Sequence, residues 1–341
     1  MRPIGGFFPL RIPGGGEVAA SVLSTWTKPH NDVWALHNAR SALHTLWGLT
    51  RPKRVWLPAY ICREVAVAVP QGLELRFYPL DDRLCPRVDF LREHVRSKDH
   101  VLSVAYFGRS VNFDFSELVH ARPDIGWIED RAHSLITDGA PWGDWLIYSP
   151  RKLLGAPDGG ILVSRSKPLP SVELVRQTDF SFALPMLQRF EDSDETDNDN
   201  WYQSHVRAEH AMSNGRLAMS RLSRTILAGV AIDVDAESRR SNFRYLQSRL
   251  STVAFITEAG PAFTPFGFPI RVKSAAAMAQ ALAKERIFAA RHWAILPSDP
   301  VSFRTEHLLA DQLLTLPCDY RYGVADMDRV STALLKHLSG E

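Results

Sequence analysis

Residues 147–164 read IYSPRKLLGAPDGGILVS, and this stretch decides the fold. Two short apolar runs flank a Pro-Arg-Lys turn and an Ala-Pro-Asp-Gly-Gly loop, the pattern of strand, loop and strand. Those apolar flanks put Lys152 near a sheet end, where desolvation lowers an amine's pKa toward neutrality and leaves a nucleophile. Gly159 and Gly160 let the backbone turn tightly beside something bulky. A lone lysine is usually a solvated surface residue, so the segment by itself leaves both readings open.

Working outward, short apolar runs at 33–37, 54–57, 73–78, 100–106, 125–129, 144–149 and 160–163 read as strands. Helical periodicity at 39–47, 64–69 and 90–95 separates several of them. Strands alternating with helices predict an α/β fold with a mainly parallel central sheet covered by helices on both faces. Residues 1–30 are rich in Gly and Pro and read as an irregular arm. Helices are expected at 203–227, 238–250, 275–286 and 326–337, and a strand at 267–272. The chain therefore divides into a large domain over 1–230 and a smaller C-terminal α+β domain over 231–341. The acidic run EDSDETDNDN at 191–200 reads as a solvated loop, with an active-site flap as the second reading.

The chain has 341 residues, 45% of them hydrophobic, enough for two cores. Forty basic residues balance 38 acidic ones, which argues against a nucleic-acid partner held by a basic surface. The three cysteines, Cys62, Cys85 and Cys318, show no CxxC spacing, so neither a disulfide framework nor a metal knuckle is indicated. No run reaches the roughly 18 apolar residues of a membrane span, and the N-terminus has no signal-peptide pattern. A cytoplasmic protein without membrane insertion is expected.

Chemistry-bearing residues gather at the predicted strand ends. In IGWIEDRAH (125–133) Asp130 closes an apolar strand, where open α/β sheets place ligands. A carboxylate there suits the pyridine nitrogen of pyridoxal 5'-phosphate (PLP), keeping the ring protonated as an electron sink; capping the next helix is the alternative. His133 either sits beside that ring or fills a helix face. In HNARSAL (37–43) Asn38 is a helix N-cap, and Ala39, Arg40 and Ser41 offer amides, charge and a hydroxyl to a phosphate. Ser149 and Arg151 are further phosphate candidates. Tyr60 and Cys62 in LPAYIC, and Tyr106 in AYFG, close other strands near the same crevice, although aromatics there are more often core. No Walker or GxGxxG pattern occurs.

Taken in order, these segments resemble the DegT-type PLP-dependent sugar aminotransferases, a branch of the fold-type I (aspartate aminotransferase-like) enzymes. NARSAL is similar to the family's SGTAAL phosphate loop, LPAY to its PSYT strand end, AYFG to its HLYG turn and EDRAH to its carboxylate motif. KLLGAPDGG resembles the lysine motif K-x5-E-G-G with Asp158 in the Glu place, and LPCDYRYGVADMDRV resembles the closing helix. The likeness spans nearly the whole chain, as a short divergent branch. It departs at three places: Ile147 stands where the family's phosphate serine usually lies, Cys62 stands at the usual stacking-aromatic position, and the partner-chain NYRM motif has no clean match in SNGRLAMS (213–220).

The resemblance implies that Lys152 forms the Schiff base and shuttles a proton, that Asp130 pairs with the ring nitrogen, and that His133 lies beside the ring. It implies phosphate binding by the Ala39–Ser41 turn with Ser149. An amino donor, typically glutamate, and a keto acceptor on a nucleotide-linked sugar are the expected small-molecule partners, feeding polysaccharide synthesis. A homodimer with shared sites is expected, for which Asn214 and Arg216 are candidates. Arg271, Arg291 and Arg321 are available to a substrate carboxylate, which would favour a PLP enzyme of another reaction class. A non-catalytic family member is the third reading, against which Lys152 and Asp130 argue. A histidine at 152 would instead have pointed to the family's dehydratases.

Overall fold

A computed structural model describes residues 2–14, 18–30, 32–192, 198–257, 260 and 262–339. Its centre is a seven-stranded sheet: β1 (Val33–Leu36), β2 (Arg54–Pro58), β3 (Glu74–Tyr78), β4 (His100–Val104), β5 (Gly126–Asp130), β6 (Trp145–Tyr148) and β7 (Gly160–Ser164). The spatial order is β1-β7-β6-β5-β4-β2-β3, and β7 alone runs against its neighbours. Strands β4, β5 and β6 are buried along their whole length, as continuous apolar runs in a sheet covered on both faces must be. Because β5 and β6 are parallel neighbours, with Asp130 opposite Ile147, their C-terminal ends open on the same edge.

Helix α1 (Ala39–Thr50) follows β1 directly. Asn38 caps it, its Oδ1 accepting from the Ser41 N–H at 2.8 Å, and Ala42, Leu43, Leu46 and Trp47 bury one stripe. The C-terminal part carries an antiparallel pair, β8 (Phe268–Arg271) and β9 (Leu313–Leu316). Helices Ile232–Leu250 and Val324–Leu338 pack together beside it. Among the described residues no helix is long and apolar enough to cross a membrane.

Three expectations need correction. The N-terminal arm is not irregular throughout: Ile4–Gly5 pairs in parallel with Ile287–Phe288, and Val22–Thr27 is a helix capped by Ser21. Gly5, at φ +96°, lies so close to Phe288 that a Cβ would stand 2.2 Å from its carbonyl oxygen, so glycine is required there. The helix expected over 203–227 is two helices, Asn198–Ala211 and Arg221–Ala228, separated by a non-helical passage around Ser213-Asn214-Gly215. Of the acidic run, 193–197 lie outside the described residues, and the first of these helices begins within it. The segments 113–121, 184–191 and 304–312 are also helical, without having been expected.

Candidate functional site

Adjacent strand ends deliver the two central groups. Asp130 is the last residue of β5; Lys152 closes the short turn Pro150–Lys152 just beyond β6, its N–H donating to the Ser149 carbonyl at 3.1 Å. The Asp130 carboxylate is buried and accepts from the Ala132 N–H at 2.8 Å. Burial raises its pKa, while the charge of Lys152 pulls it down, so the buried acid senses the amine. Lys152 Nζ stands 5.7 Å from the ring centre of Trp293.

His133 joins them. Its ring stacks on Phe266 at 4.2 Å and lies 5.5 Å from Trp293 and 5.3 Å from His292. Although fully buried, neither of its nitrogens has a hydrogen-bond partner. Burial, then the charges of Lys152 and His292, hold its pKa well below the ordinary value, so it is neutral. A buried imidazole left unsatisfied on both nitrogens costs stability unless a ligand meets it.

Cationic groups surround the start of α1. Arg151 pairs with Glu209 and donates to the Pro157 carbonyl at 3.2 Å. Burial and the nearby positive charge of Arg40 push its pKa down to about 10. Arg40 itself pairs with Glu64. Ser41 is buried, and its hydroxyl donates to the Ser213 carbonyl at 3.2 Å, where the Asn38 amide also donates. Ser149 is buried at the same edge, and Ala39 opens the helix.

The glycine pair after Lys152 serves this helix start. Gly159 has φ +125°, and the bulky groups it passes are Pro150 and Met219. Asp158 anchors the loop: fully buried, it accepts from Gln177 Nε2 (2.7 Å), Ser220 N (2.8 Å), Ser220 Oγ (2.6 Å) and the Ser223 hydroxyl. Its work is to tie the loop to residues 220–223.

A cavity of about 400 Å³ opens beside Lys152. Arg151, His205, Glu209, Asp319 and Arg321 line it together with Phe7 and Phe8 of the arm. Phe7 stacks on His205 at 4.0 Å, and the Arg321 guanidinium lies 4.1 Å over Phe8 while gripping Asp319 at 2.7 Å. Both arginines of this wall are therefore neutralised by a carboxylate in the same wall. Asp130 is buried and does not line the cavity.

The remaining expected residues divide. Tyr60 and Tyr106 are buried beside the site, with the Tyr60 hydroxyl donating to the His292 carbonyl and the Tyr106 hydroxyl to the Tyr60 carbonyl. Cys62 is half-buried and precedes the helix Arg63–Val67 without capping it. Asn214 and Arg216 lie outside the cavity wall on the passage between two helices, Arg216 exposed. Arg291 also lies outside that wall, turned to the Ala310 carbonyl (3.4 Å) and Asp311 (3.7 Å). Sequence reasoning missed His292, Trp293 and Phe266, which no local motif marks, and the arm residues Phe7 and Phe8, for which the Gly-Gly-Phe-Phe start was a signal.

No protein-family model matches the chain, and no curated protein matches it. Solved structures do. A Streptococcus pneumoniae protein named as a sugar aminotransferase, in its PMP form, matches over 100% of both chains with a TM-score of 0.71 at 14% identity. A DegT DnrJ EryC1 StrS aminotransferase from Brucella abortus matches over 94% of this chain and 91% of its own, with a TM-score of 0.63 at 16% identity. A variant of the dehydratase ColD, with GDP-perosamine bound, matches over 92% and 91%, with a TM-score of 0.65 at 14% identity. Likeness of this order is likeness of fold: the chain has the type I fold of the PLP-dependent transferases.

Proposed function

We propose that this chain is a PLP-dependent aminotransferase that moves an amino group, from glutamate, to a keto group of a nucleotide-linked sugar. The observation that carries the reading is the cluster of Lys152, Asp130 and His133: a half-buried amine whose charge is felt by a buried carboxylate and by a buried imidazole with both nitrogens unspent. These residues fit PLP: an amine for its aldehyde, an acid for its ring nitrogen, and a free nitrogen for a ring oxygen. Arg40 and Arg151 beside the start of α1 suit its phosphate.

Bound there, PLP would supply a ring able to withdraw electrons from the carbon that loses its proton. The chain's own residues do the rest. Asp130 favours a protonated ring nitrogen, because a second buried charge stabilises its own. Lys152 Nζ, close to Trp293 at the cavity wall, takes and returns the proton. His133, neutral at working pH, donates or accepts one hydrogen bond without adding charge.

Lysine rather than histidine at 152 supports transamination over the chemistry of a dehydratase such as ColD. We assign residues 1–230 to the cofactor-binding domain and 231–341 to the smaller one. The chain works as a cytoplasmic homodimer, a reading supported by Phe180, Leu184, Leu187 and Phe190, which expose apolar side chains along one stretch.

Purified protein incubated with PLP tests the assignment. The expected result is a visible absorption band, fixed by borohydride reduction and abolished by Lys152→Ala with the fold intact. Glutamate should then convert the band to that of the amine form. A protein that takes up no PLP overturns the reading; a band that another amine converts while glutamate does not overturns the donor.

A further inference from the structure

We propose that Trp293 is the aromatic partner of the PLP ring, replacing a ring on the loop after β2, where Cys62 stands. This rests on the reading that Lys152 holds PLP. A ring joined through one carbon to Nζ can reach the centroid spacing of about 4.5–7 Å at which aromatic pairs interact with a group found beside that nitrogen. Trp293 is placed there, its centre 5.7 Å from Nζ.

The neighbouring rings lie against partners of their own, as Trp293 does against His133. Phe266 lies face to face with His133 at 4.2 Å and 10°, and Tyr60 meets Tyr106 near-perpendicular at 5.8 Å. Cys62, half-buried at the head of a short helix, brings no flat surface. Trp293, half-buried, sits 5.7 Å from Tyr60 and 5.5 Å from His133, beside Lys152 although not in the wall of the cavity that Lys152 lines.

Its backbone is held from both sides, as a ring-positioning residue requires. The Tyr60 hydroxyl donates to the carbonyl of His292, and Ser298 Oγ donates to the Ala59 carbonyl at 2.8 Å, which ties the segment to the loop after β2. Ala290 and Thr315 exchange backbone hydrogen bonds at 3.0 and 2.8 Å, and His292 Nδ1 bonds with Thr315 Oγ1 at 3.0 Å, which ties it to β9. The C-terminal part thus carries one wall of the cofactor site to the large sheet.

The test is PLP affinity by equilibrium titration in wild type, Trp293→Leu and Trp293→Phe, with thermal melting as the folding control. Trp293→Leu should weaken PLP about three- to tenfold and shrink the circular dichroism that the bound cofactor acquires; Trp293→Phe should stay within about twofold of wild type. Unchanged or tighter PLP binding by Trp293→Leu overturns the proposal, because the indole then occupies or ignores the ring's place. Should leucine unfold the chain, Trp293→Met fills the volume without a ring and carries the same comparison. Failure of wild type to bind PLP sinks the functional assignment instead, so the two failures are distinguishable.

Discussion

Gly160, the first residue of β7, lies against Asn38 so closely that a Cβ on it would stand 2.1 Å from the Asn38 carbonyl carbon and 2.2 Å from the Ala39 nitrogen. The loop after Lys152 and the start of α1 are therefore one packed unit, and what moves one moves the other. Both clashing groups are backbone, which cannot swing aside. Gly160→Ala should cost at least about 2 kcal/mol and lower the melting temperature by several degrees. Gly14→Ala, where the added Cβ meets nothing within 4 Å, is the control. Equal melting temperatures for the two variants would disprove the contact.

Asp158 makes a second prediction. Its two oxygens accept from Gln177, the Ser220 N–H and two serine hydroxyls, with no solvent exposure. Asp158→Asn keeps the shape but turns one acceptor into a donor facing other donors. A loss of about 2–3 kcal/mol is expected, read by chemical denaturation. A loss below 1 kcal/mol would mean that the serines re-pair freely, and the anchoring role would fall.

Acid should destabilise the protein through its buried histidines. Burial, then Lys167, holds His100 at about 4, and burial, then Lys152, holds His292 at about 3; His133 is held well below its ordinary value. An unfolded histidine takes its proton near pH 6.5. The folded pKa values are depressed, so below pH 6.5 the unfolded state binds more protons. Stability is complete above that pH and declines as pH falls toward the folded values, by about 1.4 kcal/mol per unit for each such group. His100→Leu should flatten the profile between pH 6 and 4.5 by one histidine's share. Parallel profiles for variant and wild type would show that His100 titrates normally in the folded chain.

The parts legible in the sequence are those whose cause is local. Strands β4, β5 and β6 are short, mainly apolar runs because both sheet faces are covered; Asp130 stands out because it ends one run, and Lys152 because it follows the next in a short turn. Trp293 had no such signal: what brings it to the amine is Tyr60 holding the His292 carbonyl and β9 holding Ala290, contacts made far apart along the chain. The arm was misread for a related reason. Gly5 and Gly6 have positive φ, and their function is to fit the chain between Phe288 and Arg189, not to keep it loose. The long helix expected over 203–227 broke at Ser-Asn-Gly, a turn signal that the surrounding apolar periodicity obscured.

Arg151 supplies the last prediction. It stands beside the start of α1, its charge disfavoured by burial and by Arg40, and offset by Glu209. A phosphate dianion would relieve the repulsion between the two arginines, so the site should prefer PLP to pyridoxal, which lacks the phosphate. Arg151→Gln should cut that preference about tenfold, the usual worth of one charge-assisted contact, while leaving pyridoxal affinity nearly unchanged. Glu209→Gln should act in the opposite direction, because it frees the guanidinium for the ligand. Arg40 pairs with a half-exposed Glu64, so Arg40→Gln should have the smaller effect. Comparing dissociation constants for the two compounds across the three variants decides the matter: if the preference stays constant in Arg151→Gln, the phosphate is held elsewhere and the packing of Gly160 on Asn38 serves stability alone.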